Sequence, residues 1–75
     1  MGNYYTLKYD KNEDTWRAIT EANRKFSMHC GDIFHINMGK IQLPCRLEMD
    51  SDWYAICESV RFRLHPKEEY KIILY

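Results

Sequence analysis

The sequence carries no excess of either charge. Eleven basic side chains stand against eleven acidic ones, and the formal net charge is zero. A duplex binder draws its affinity from neutralised phosphates, so a strongly basic DNA-binding protein is excluded. An acidic imitation of DNA is excluded on the same count. Neutrality leaves a protein partner open. No stretch approaches the roughly 20 apolar residues of a membrane span. Nor does Met1–Asp10 hold an apolar run behind a basic segment, as a secretory leader would. The expectation is a cytoplasmic chain with no membrane partner. Repeats, linkers and low-complexity segments are also missing, and 75 residues suit one domain, 1–75.

Cysteine is scarce and odd in number, at three. With no leader to an oxidising compartment, thiols or a metal site are expected in place of a disulfide framework. Neither CxxC nor HxxxH spacing occurs. Convergence from neighbouring strands could still assemble a zinc site, and the best set is His29 or Cys30 with Cys45 and Cys57. The other reading makes all three cysteines small buried hydrophobes. His29 and Cys30 are adjacent, and in a strand they would point to opposite faces, which spoils them as a nucleophile pair. No oxyanion loop is evident, and the chain has little bulk to exclude water around a reacting group. Binding is expected, not catalysis, and no cofactor is required beyond the zinc just considered.

What the sequence has is aromatic mass and a period of two. Two tryptophans, six tyrosines and three phenylalanines supply large apolar area, which suits the thin core of a small domain. Ile41, Leu43, Cys45, Leu47 and Met49 alternate with Gln42, Pro44, Arg46 and Glu48, as in a half-buried strand. Pro44 cannot donate to a ladder, so that strand is expected at a sheet edge, or paired on only one side there. Val60, Phe62 and Leu64 alternate with Arg61, Arg63 and His65. Tyr70, Ile72 and Leu74 follow the turn at His65–Glu69. Ile33–Met38 reads as a strand entering a tight Gly39-Lys40 hairpin, and Trp53–Cys57 as a short strand after Asp50-Ser51-Asp52. Gly31-Asp32 reads as a turn, with Asp bonding locally to backbone and Gly taking unusual dihedrals.

Residues 15–26 admit two readings. Trp16, Ile19, Ala22, Asn23 and Phe26 sit near helical spacing behind an Asp14 cap, whereas Trp16 and Ala18 also alternate as a strand would. The fold expected is an all-β, small SH3-like barrel of five to six antiparallel strands, with one short helix placed within Glu21–Phe26. Its core would draw on Leu7, Tyr9, Trp16, Phe34, Ile36, Ile41, Leu43, Leu47, Trp53, Ile56, Phe62 and Ile72.

Two polar groups stand out on these strands. Arg46 and Glu48 share one face, and Arg61 and Arg63 share another near Trp53 and Tyr54. Arginine beside exposed aromatics is the composition of a protein-binding hot spot. It is also that of a single-strand nucleic-acid platform, against which net neutrality speaks. The bland alternative is core aromatics with a solvated arginine face. The candidate contact residues are Arg46, Glu48, Asp52, Tyr54, Arg61 and Arg63.

His29-Cys30-Gly31-Asp32, then Gly39, Arg46-x-Glu48 and Asp52-Trp53-Tyr54, resemble a family of small uncharacterised proteins from Firmicutes phages and mobile elements. Trp16-Arg17-Ala18-Ile19 would occupy the family's second strand, with aromatic and arginine exchanged. Ile41 stands where the family has tryptophan, and Cys45 where it has a hydroxyl residue. The resemblance spans Tyr5 to Leu74 and implies a strand at Thr15–Ile19. It further implies a bacterial host and a protein that binds and inhibits a host protein. The concrete version is an anti-CRISPR inhibitor that blocks nucleic-acid loading of a type II effector nuclease. The alternatives are a nucleic-acid-binding accessory module and a structural or assembly protein of the element.

Overall fold

Alternating burial runs through the chain, and strands follow from it. A computed structural model describes residues 3–74, and every regular element among them is a β-strand. These are β1 (Asn3–Asp10), β2 (Thr15–Ile19), β3 (Lys25–Ser27), β4 (Ile33–Met38), β5 (Ile41–Met49), β6 (Trp53–Cys57), β7 (Val60–Arg63) and β8 (Tyr70–Leu74). They form one antiparallel sheet in the order β3-β2-β1-β8-β4-β5-β6-β7. The all-β expectation holds. The strand number is eight, not five to six.

The short helix expected within Glu21–Phe26 is not there. Six residues are too few to hold a helix without packing support. Phe26 is exposed and meets Tyr5 edge-on at 6.1 Å, not the core. Instead the Asn23 N–H donates to the Thr20 carbonyl at 2.9 Å, and Asn23 takes a φ of 64°. Lys25–Ser27 then pairs with β2, whose Thr15–Ile19 span is the strand that the resemblance implied.

The edge strands β3 and β7 do not pair with each other, yet the sheet curls into a barrel-like shape. A bend closes it. The Met28 N–H donates to the Trp16 carbonyl at 2.8 Å, extending the β2–β3 ladder. Three residues later the Gly31 N–H donates to the Leu47 carbonyl at 2.7 Å, and the Leu47 N–H to the Asp32 carbonyl at 2.9 Å, extending β4–β5. The chain thus passes from the outer edge of β2 to the far side of β8, joining β1, β2, β3/β4 and β8 in a ring. Gly31 turns this corner at a φ of 91°, where a side chain would be strained. Asp32 accepts from the His29 N–H at 2.7 Å, the local bond expected of it.

The core lies inside the curl. Leu7, Trp16, Phe34, Leu47 and Ile72 are its largest wholly buried side chains. Burying one such aliphatic contributes about 1.5–3 kcal/mol. Trp16 lies between Tyr9 and Tyr70, at centroid distances of 5.4 and 6.0 Å. Tyr9, Leu43, Trp53 and Phe62 pack half-buried against this core. Two expected core residues lie elsewhere. Ile41 is 60% exposed at the hairpin tip, and Ile56 lies across the pleat from buried Ala55 and Cys57, on the outer face.

Candidate functional site

Strands β5, β6 and β7 carry an outer face that the register fixes. Glu48 pairs with Tyr54 and Tyr54 with Arg63, giving one row across the sheet. Arg46, Ile56 and Arg61 make the next row, and Ile33 of β4 extends it. Because side chains alternate, each row shows the same face. All six sequence-derived contact residues therefore come together: five on the rows, and Asp52 at the turn that enters β6.

Their mutual geometry is paired. The Arg46 Nε lies 2.6 Å from the Glu48 carboxylate, so these two bond along the strand. The Arg63 Nη2 lies 3.6 Å from Asp52, and the Arg61 Nη2 lies 3.5 Å from Asp50. The Arg61 guanidinium stacks 3.8 Å above the Tyr54 ring. Such stacking is worth about 0.5–1 kcal/mol at exposed sites, and it holds both groups in one pose. Asp52, Tyr54, Arg61 and Arg63, with Ser51, line a shallow depression of about 300 Å³. Asp50 was not among the candidates. Its role comes from the turn that sets it beside β7, which local pattern does not reveal.

The sulfur and imidazole set is not brought together. Cys45 and Cys57 sit directly opposite on β5 and β6, with Cα atoms 4.3 Å apart, and are joined as a disulfide. That spacing belongs to the non-hydrogen-bonded pairs of an antiparallel ladder, where side chains approach most closely. The expectation of free thiols is corrected for these two. His29 and exposed Cys30 lie instead at the Met28–Asp32 bend. Among the described residues, no group of three or more His, Cys, Asp or Glu could hold a metal ion. The four residues of the zinc set, His29, Cys30, Cys45 and Cys57, are therefore not gathered into one cluster among the described residues.

A second polar cluster went unread in the sequence. The Arg17 Nε donates to Asp10 Oδ2 at 2.7 Å, and the Arg17 Nη1 to the Ser27 hydroxyl at 3.1 Å. The Arg17 guanidinium holds the Asp10 carboxyl below the ordinary carboxylate range. The Tyr9 hydroxyl donates to Asp14, and that bond raises the Tyr9 phenol. The Trp53 indole N–H reaches the same Asp14 carboxylate at 3.3 Å, tying the β1–β2 loop to β6.

Residues 5–74 match the family described as Domain of unknown function (DUF5348). The chain belongs to this family. A crystal structure of a protein from Ruminococcus gnavus, a structural genomics target, resembles this DUF5348 domain with a TM-score of 0.79 at 22% sequence identity. The superposition covers 96% of this chain and 100% of that one, and at this identity it speaks for the fold alone. No curated protein matches this DUF5348 domain significantly. No helix among the described residues is long and apolar enough to cross a membrane.

Proposed function

We propose that this DUF5348 domain is a binding module and not an enzyme, and that it docks on a protein partner through the outer face of β5–β6–β7. One observation carries this reading: three arginines, three carboxylates and a stacked tyrosine share a single three-stranded face. Tyrosine and arginine are the residues over-represented at binding hot spots. The opposite charges alternate over a few ångströms, a pattern that selects a complementary charged surface more than a phosphate backbone. Arg61 over Tyr54 lowers the entropy that binding would otherwise cost. Bound there, the domain acts by occlusion, as an inhibitor of a bacterial host protein. Its most specific form is the block of nucleic-acid loading in a type II CRISPR effector nuclease, the setting that the phage resemblance suggests.

A tagged pull-down from a Gram-positive lysate, with and without nuclease treatment, tests the general reading. The expected result is a stoichiometric protein that survives nuclease and is lost with Arg61→Glu or Arg46→Glu. Recovery only through nucleic acid would transfer the face to single-strand binding; recovery of the chain alone would point to an assembly role. The nuclease form is tested by target-DNA cleavage with purified effector, and undiminished cleavage at large molar excess removes it.

A further inference from the structure

Strand β7 is an unpartnered edge of the sheet among the described residues. Its turn, Glu58-Ser59, joins Cys57 to Val60 across two residues, so Cys57 and Val60 form a hydrogen-bonded pair. The ladder alternates from there, and the Leu64 N–H donates to the Trp53 carbonyl as that alternation requires. Val60, Phe62 and Leu64 therefore turn their backbone groups inward to β6. Arg61 and Arg63 turn theirs outward, presenting two N–H and two C=O groups at the free edge. The two faces of this edge differ sharply. The Arg61 and Arg63 side chains lie on the outer face. On the inner face Val60 and Phe62 border a groove of about 250 Å³, whose other walls include Ile36, Met38 and Leu43.

We propose that β7 accepts an added antiparallel strand from the protein partner, acidic on its outer face and aliphatic on its inner face. This deepens the reading given above and rests on it. Charge decides the occupant. A second copy of this chain pairing edge to edge would set Arg61 and Arg63 opposite their own equivalents, and like charges directly opposite are destabilising. An acidic residue in the same place pairs with them, in exchange for the solvent-exposed contacts to Asp50 and Asp52 at 3.5 and 3.6 Å, which hold the arginines only weakly. Inward aliphatic side chains cover Val60, which is 65% exposed, and Met38, which is 56% exposed. Main-chain bonds supply affinity and the alternating side chains supply specificity, as in other strand-addition complexes. Arginines on an edge also discourage unselective pairing, so the same residues repel most strands and admit one kind.

The test uses a fluorescein-labelled, end-capped octapeptide of alternating glutamate and valine, read by anisotropy against the full chain. Binding is expected, at least tenfold tighter than for a block-ordered peptide of the same composition or for alternating lysine and valine. Val60→Asp should weaken it tenfold or more, and Arg61→Glu with Arg63→Glu should transfer preference to the lysine peptide. In antiparallel addition the glutamates face Arg61 and Arg63, so their backbone groups meet the edge. N-methylating the glutamates should abolish binding, and N-methylating the valines should not. No binding, equal binding of the block peptide, or equal effects of the two methylations overturns the proposal. A micromolar dimer of the free chain that competes with the peptide also overturns it, assigning the edge to a second copy. Partner capture that is lost with Arg46→Glu but unchanged in Val60→Asp would sink strand addition and leave the face reading standing. Capture unchanged by both would sink both.

Discussion

Asp10 gathers three donors: the Arg17 Nε at 2.7 Å, the Asn12 N–H at 3.0 Å and the Glu13 N–H at 3.4 Å. All three favour the carboxylate, and they hold its pKa below the ordinary value of 3.8. A depressed carboxyl contributes stability that is full above its unfolded value and is lost as pH falls through the folded one. The expected outcome is a melting temperature that declines as pH drops below 3.8, with a shallower decline in Asp10→Asn. Thermal unfolding between pH 5 and pH 2 checks this, and identical slopes for the two proteins would refute it. The polar run Asp10–Asp14 is itself a turn signal that the sequence carries. The Arg17 partnership was not legible. It depends on the β1–β2 register, which sets Asp10 opposite Thr15 and leaves Arg17 diagonal to it.

Strand periodicity survives any context in which one face is buried, so β5 was legible from Ile41 to Met49 to the residue. The helical spacing at residues 16–26 misled because the local pattern there fits two periods and only packing chooses between them. The β6–β7 turn was illegible for a different reason. Glu58 and Ser59 take φ values of 51° and 73°, the paired positive angles of a type I′ hairpin, without the Asn-Gly signature. Side chains in that region cost roughly 1–2 kcal/mol each. Glu58→Asn with Ser59→Gly should therefore stabilise the hairpin by about 1 kcal/mol, a gain of roughly 4–8 °C in Tm for a domain of this size. Differential scanning calorimetry reads this directly. An unchanged or lower Tm would mean that Glu58 or Ser59 contributes something the backbone angles do not account for.

A domain of 75 residues buries too little surface to be generous with stability, and the Cys45–Cys57 link bears on that shortage. It closes a loop with a sequence separation of 12, for which the chain-entropy model gives about 3 kcal/mol. Reduction should lower Tm by roughly 12–24 °C, at about 4–8 °C per kcal/mol. Unfolding with and without a strong reductant checks it, and Cys30→Ser should leave the difference intact. The six contact residues were legible as types, since arginine and tyrosine on alternating positions announce a surface. Their assembly was not, because nothing in a linear string sets β7 beside β6 and both beside β5.

Neither did the string reveal that β8, the eighth strand in order, lies between β1 and β4. That placement bears on synthesis. The first seven strands leave the ribosome before the strand that joins them, so for an interval β1 and β4 each offer a bare edge to whatever is near. The ring cannot close before β8 arrives, and its β1–β8 pairing joins segments far apart in sequence, the kind of contact that folds slowly. Until then the nascent chain lacks the strand that pairs with both β1 and β4, and its exposure to aggregation is set by how fast translation delivers Tyr70–Leu74.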